Sequence, residues 1–159
     1  PGKARDVWGA SLDEGFAKRD PALGELDVQL QIAFHLGEPS PEELAIVRNQ
    51  LALYIGGMGS RDKNFYNQLV TRMGYEAAAA EVQDLYLARK QPEAMAAVPL
   101  DFIDKTSLIG SPDRVKERLH AYNDSGVGTL TVATYAGDLE TRIATIRKMA
   151  ELVDQAGLA

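Results

Sequence analysis

Two segments of this chain alternate like β-strands, and what lies between them reads as helix and loop. In Asp27–Leu36, Val28, Leu30, Ile32 and Phe34 alternate with Gln29, Gln31, Ala33 and His35. Successive strand residues point to opposite faces, so one face is wholly apolar and the other mixed. Thr129–Tyr135 repeats the pattern, with Leu130 and Val132 on one side and Thr131, Ala133 and Tyr135 on the other. A two-stranded parallel sheet would leave two open hydrogen-bonding edges. The remaining strands must come from a partner chain, from a longer parent chain or from segments with a weaker strand signal.

Helices flank and separate the strands. Lys3–Lys18 carries Trp8, Leu12 and Phe16 at four-residue spacing, the mark of a surface helix covering a core, and Asp20-Pro21 ends it. Ser40-Pro41-Glu42-Glu43 combines an N-cap, a proline at the first helical position and a capping-box glutamate. The helix it opens runs to Ile55 through Leu44, Val47, Leu51 and Tyr54, and Gly56-Gly57-Met58-Gly59-Ser60 is expected to end it in a flexible loop. Asn64–Met73 and Tyr75–Arg89 read as further helices, Pro92–Val98 as a helical turn and Pro99–Ser107 as a helix or turn. Gly110-Ser111-Pro112-Asp113 is a loop feeding another capped helix, with Val115, Leu119 and Tyr122 on its buried face and Gly126 as its stop. Gly137-Asp138 starts a last helix, striped by Leu139, Ile143, Ile146 and Val153.

Strands alternating with helices predict an α/β fold whose parallel sheet is covered by helices. In a (β/α)8 barrel the apolar strand faces would meet helices and the mixed faces would point inward. His35 and Tyr135 would then lie at the C-terminal mouth, where barrel active sites are built.

Composition narrows the partners. A net charge of -6 argues against nucleic acid and anionic membrane surfaces. The absence of cysteine removes disulfides, thiolate metal sites and thiol nucleophiles, and suits a cytoplasmic protein. No segment resembles a membrane span or a signal peptide. His35 and His120 have no metal-ligand spacing, so no metal is expected, and His120, beside Leu119 on a helix, reads as a surface residue.

His35 is the most notable titratable residue, able to donate a hydrogen bond or move a proton if it lies at a strand's end. A hydrogen-bonded core histidine is the plainer alternative. Arg61, Lys63, Asn64 and Tyr66 follow the glycine-rich stretch, where cations on a hinged lid could close over an anionic ligand, or could form only a solvated turn. Gly56-Gly57-Met58-Gly59 lacks phosphate-loop spacing. Glu42-Glu43, Asp13-Glu14 and Glu151 with Asp154 read as solvated helix faces.

Ile109-Gly110-Ser111-Pro112-Asp113-Arg114-Val115-Lys116-Glu117-Arg118-Leu119, followed by Ser125-Gly126 before the second strand, resembles the closing signature of bacterial luciferase-like oxidoreductases. Leu51–Gly59, Lys63–Asn67, Gly74-Tyr75-Glu76 and Val98-Pro99-Leu100 resemble the deazaflavin-dependent branch. The resemblance covers almost the whole chain. It implies residues 1–159 as the C-terminal part of a (β/α)8 TIM barrel, with the seventh and eighth strands at 27–36 and 129–135 and a helical insertion at about 57–108. It implies hydride transfer between coenzyme F420, or FMN, and an organic substrate, in a cytoplasmic homo-oligomer. His35, Tyr135, Arg61 and Lys63 are the expected cofactor or substrate contacts. A complete barrel needs ~250 residues, so the other strands and the catalytic residues are expected upstream of Pro1, with this chain inactive alone. The alternative reading is a non-catalytic α/β module that pairs its open strand edges with a second copy; a helical carrier of small ligands is a third.

Overall fold

The computed structural model describes residues 2–134 and 137–158. In chain order the elements are α1 (Ala4–Lys18), a 3-10 turn (Pro21–Leu23), β1 (Gln29–Leu36), α2 (Pro41–Ala52), a π-helical turn (Leu53–Gly57), α3 (Phe65–Arg72), α4 (Glu76–Leu87), α5 (Gln91–Ala96), α6 (Leu100–Lys105), β2 (Ser107–Gly110), α7 (Pro112–Asp124), β3 (Thr129–Ala133) and α8 (Leu139–Gln155). The chain divides into two compact units, residues 1–38 with 108–159, and residues 39–107.

The first unit is α/β. Its sheet has three strands in the order β2-β1-β3, so β1 is central. The sequence reading found two of them. β2 was missed because a four-residue strand holding only Leu108 and Ile109 has no alternation to detect, yet Leu108 is fully buried. β1 and β3 run parallel, with Gln29 opposite Thr129 and each following pair in step to Ala33 and Ala133. That register keeps like faces together. Ile32 and Phe34 join Leu108, Val115, Leu119, Tyr122, Met149 and Leu152 in one core, with Leu30, Leu130 and Val132 packed against it. The helices that supply this core are α7 and α8, so the apolar strand face does meet helices. Gln29, Gln31, Thr129 and Thr131 on the opposite face are exposed.

Local chemistry fixes the helix ends. Ser111 Oγ accepts the amide of Arg114, and Asp138 Oδ1 accepts that of Thr141 at 2.8 Å. The N-terminal amides bonded to Asp138, Thr141's above all, hold its carboxyl below the usual aspartate range. Gly126 ends α7 at φ +90°, where its amide reaches Asn123 and that of Val127 reaches Tyr122, a pairing that suits glycine. Two predicted stripes are less buried than expected. Trp8 and Phe16 on α1, and Leu139, Ile143 and Ile146 on α8, remain substantially exposed; Leu139 is 71% exposed. The deeply buried residues of α8 are instead Met149 and Leu152.

The second unit is helical. Ser40 and Glu43 form the full capping box on α2, each side chain bonding the other's backbone amide. α2 packs on α5 and on the π-helical turn, which in turn packs on α3 and α4. Ala52, Ile55, Val70, Ala79, Val82, Ala94, Val98 and Phe102 are buried in this unit.

Candidate functional site

His35 stands on the mixed face of β1, one residue before its C-terminal end, and is half-buried. The same face carries the Gln29 amide, which donates to the Thr131 hydroxyl of β3. Below it the Thr129 hydroxyl donates to Asp27 at 2.7 Å. Beyond His35, Gly37 turns with φ +91° and its amide reaches the Gly110 carbonyl at 2.8 Å, which ties the end of β1 to the end of β2. The sheet therefore offers a polar, solvent-facing wall with a histidine near its C-terminal edge. Tyr135 lies outside the described residues.

Two hollows in this unit lie elsewhere. One, of about 280 Å³, is enclosed mainly by apolar residues of α7, β3 and α8, among them Leu119, Val132 and Met149. The other, of about 570 Å³, is bounded by Trp8, Leu12, Phe16, Leu26 and Val28. Neither is lined by His35. His120 is exposed on α7.

In the helical unit, the expected flexible glycine loop is not what forms. Gly56 and Gly57 belong to the π-helical turn and lie against the Tyr86 side chain of α4. A Cβ on Gly57 would fall 3.0 Å from Tyr86 Cζ, so these glycines permit close packing rather than hinge motion. A π turn shifts carbonyls out of the α-helical ladder. Asn64, 1% exposed, bonds those of Tyr54 and Ile55 through its Nδ2, at 3.1 and 2.9 Å, while its Oδ1 accepts the Asn67 amide and caps α3. Asn67 adds bonds to Ile55 and Ala79. The sequence reading grouped Asn64 with a ligand-facing cluster; the structure makes it an internal brace. Asn64→Ala leaves these buried carbonyls short of donors, and we expect a loss of about 2 kcal/mol in chemical denaturation. A loss within 0.5 kcal/mol, roughly the scale of a surface change, would show that the brace is dispensable.

The remaining members of that cluster are exposed. Arg61 is ion-paired with Asp84, which offsets its charge. Lys63 takes part in no ion pair among the described residues. Tyr66 sits edge-on to Tyr54, with centroids 4.6 Å apart, and to Phe65 at 5.4 Å. Arg61, Lys63 and Tyr66 are thus exposed residues of the helical unit, whereas His35 belongs to the sheet.

A second polar cluster went unnoticed in sequence. Tyr75 donates to Asp101 at 2.7 Å and accepts from Lys105 Nζ at 2.9 Å. The Tyr75 hydrogen bond, followed by Lys105, lowers the Asp101 pKa; bonding to Tyr75 and then Asp101 raises that of Lys105. Its only sequence trace is the four-residue spacing of Asp101 and Lys105. With its charges internally matched, it reads as a clasp between α6 and the turn before α4.

Among the described residues no group of three or more His, Asp or Glu side chains is placed to hold a metal, and no helix is long and apolar enough to cross a membrane.

Comparison with known proteins settles the family. The pattern of the luciferase-like monooxygenases matches residues 1–129. The chain belongs to that family. A Mycobacterium tuberculosis protein provisionally named a coenzyme F420-dependent oxidoreductase is 31% identical over 144 residues, which cover 89% of this chain and 40% of the relative. This luciferase-like chain therefore spans about two fifths of the length of the curated relative it matches. No solved structure matches it.

Proposed function

We propose that the chain forms the C-terminal part of a (β/α)8 barrel in an oxidoreductase that uses coenzyme F420, with FMN as the alternative cofactor. The observation that carries this reading is the division of the sheet into two faces. The apolar face of β1 and β3 is closed by α7 and α8, while the polar face, with Gln31 and Thr131, stands open to solvent as a barrel-lining surface would without its other strands. The 31% identical relative supports the choice of cofactor class.

The residues present fit such a cofactor as one wall of its site. Hydrogen-bonding side chains, Gln29, Gln31 and Thr131 among them, occupy the open face of the sheet. The bound deazaflavin or flavin ring supplies the hydride-transfer chemistry. His35 would orient cofactor or substrate by a hydrogen bond. The missing barrel strands would supply most of the catalytic groups.

Fluorescence titration of the protein isolated from its source cells tests this. Saturable binding of coenzyme F420 is expected, weakened about tenfold by His35→Ala, the loss of one charge-assisted bond. If neither F420 nor FMN saturates, the reading is wrong. A second reading is favoured by the position of β3 at the edge of the sheet. There the chain would be a non-catalytic module paired edge to edge with another copy. Sedimentation would then give a species of twice 17.3 kDa that binds neither cofactor.

A further inference from the structure

We propose, resting on the barrel reading above, that the outer side of α8 and the free edge of β3 form one docking surface. Its occupant is a strand followed by a helix, from a part of the same polypeptide outside residues 1–159. Leu139, Ile143 and Ile146 follow one another at four- and three-residue spacing, so they stand on one side of α8. They are 71, 41 and 52% exposed. Met149 and Leu152 of the same helix are buried in the core of the α/β unit, so α8 already has an occupied packing side. Single apolar residues on a surface need no explanation, but these three are continuous with more of the same. Ile146 also lines the hollow of about 280 Å³, together with Leu130 and Val132 of β3 and Val153 of α8. The hollow thus joins the stripe to the apolar face of β3. That strand ends the sheet, with no neighbour on its outer side among the described residues.

The two parts of this surface call for different elements. The outward backbone groups of β3 need a strand. The stripe and the hollow need apolar side chains on a helix. A helix alone leaves the strand edge open, and a strand alone leaves the stripe in water. A strand joined to a helix covers both, and the existing layers set its direction. β1 and β3 are parallel, and α7 and α8 cover their apolar face. A further parallel strand beyond β3 puts its own helix beside α8 in that same layer. A second copy of this chain would instead set β3 against β3 about a two-fold axis, antiparallel to it. The length of the relative favours the first arrangement. The chain spans about two fifths of it, so most of that protein lies outside the matched part and can supply the segment.

Photo-crosslinking tests this in the protein as made in its source cells. The variants are Leu139→p-benzoylphenylalanine and Ile143→p-benzoylphenylalanine, with Lys148→p-benzoylphenylalanine as a control on the other side of α8. The two test positions are exposed, so the bulky group does not disturb the core. After irradiation, mass spectrometry of the digest identifies the peptide joined at each position. We expect positions 139 and 143 to be joined, within one polypeptide, to a peptide outside residues 1–159, and position 148 to none outside them. Joining to residues 1–159 of a second copy, joining to another protein, no joining at either test position, or equal capture at position 148 each overturns the proposal. Saturable F420 binding without the expected crosslink removes this surface and leaves the oxidoreductase reading standing. The crosslink without F420 or FMN binding supports the surface and removes the cofactor.

Discussion

Phe34→Ala is expected to lower the stability of the α/β unit by about 4 kcal/mol, within the range for removing a buried aromatic ring. Phe34 is 1% exposed on the central strand, and its cluster draws on every other layer of that unit: Leu108 of β2, Val115 and Leu119 of α7, Met149 and Leu152 of α8. Truncation removes the ring from a site whose walls are set by a hydrogen-bonded strand and two capped helices, so little collapse can fill the space. For a chain of this size the melting temperature should fall by roughly 8–16 °C. Gln31→Ala, on the exposed face of the same strand, should change stability by no more than ~0.5 kcal/mol. Thermal and urea melts of both variants check the contrast. Equal losses at the two positions would mean that the sheet is covered on its polar face as well, and the division into two faces would be wrong.

Gly56→Ala is expected to cost about 3 kcal/mol, at the upper end of over-packing effects. Its new methyl would run into Tyr86, with Cγ at 2.8 Å, and would stand 3.1 Å from the Val82 carbonyl. The nearest obstacle is the Cβ of Tyr86, which no shortening of the side chain removes unless glycine replaces it. Gly57 differs: there the methyl would meet the far part of the ring, Cζ at 3.0 Å and Cδ1 at 3.1 Å. Tyr86→Ala should therefore relieve Gly57→Ala almost fully and Gly56→Ala only in part, a difference that a double-mutant cycle measures. If both glycine variants are as stable as the parent, the close approach of the π-helical turn to α4 is not as described, and a loose glycine loop returns as the better account.

Much of the fold could be read from local rules. The Ser40–Glu43 capping box, the Ser111 and Asp138 caps and the Gly126 stop each depend on chemistry within a few residues. The alternation in 29–36 was enough to assign Ile32 and Phe34 to the core and Gln29 and Gln31 to the open face, because strand geometry fixes sides before any partner is known. Family membership was legible too, from the order of short motifs.

Tertiary structure decided what depends on distant partners. β2 exists because β1 offers an edge to Ser107–Gly110, a segment with no strand period of its own. Gly56 and Gly57 look like a hinge in sequence and become a packing surface because Tyr86, some thirty residues on, lies across them. Asn64 looks like a ligand-facing polar residue and becomes a brace because the π turn leaves carbonyls for it to satisfy. The exposure of Leu139 and Ile143 likewise follows from what packs on α8, which periodicity cannot supply. Sequence alone determined the local elements and the faces they present, since both follow from backbone geometry over a few residues. Only the tertiary structure decided which faces are covered and which polar groups are matched, because those depend on atoms that the chain brings together from afar.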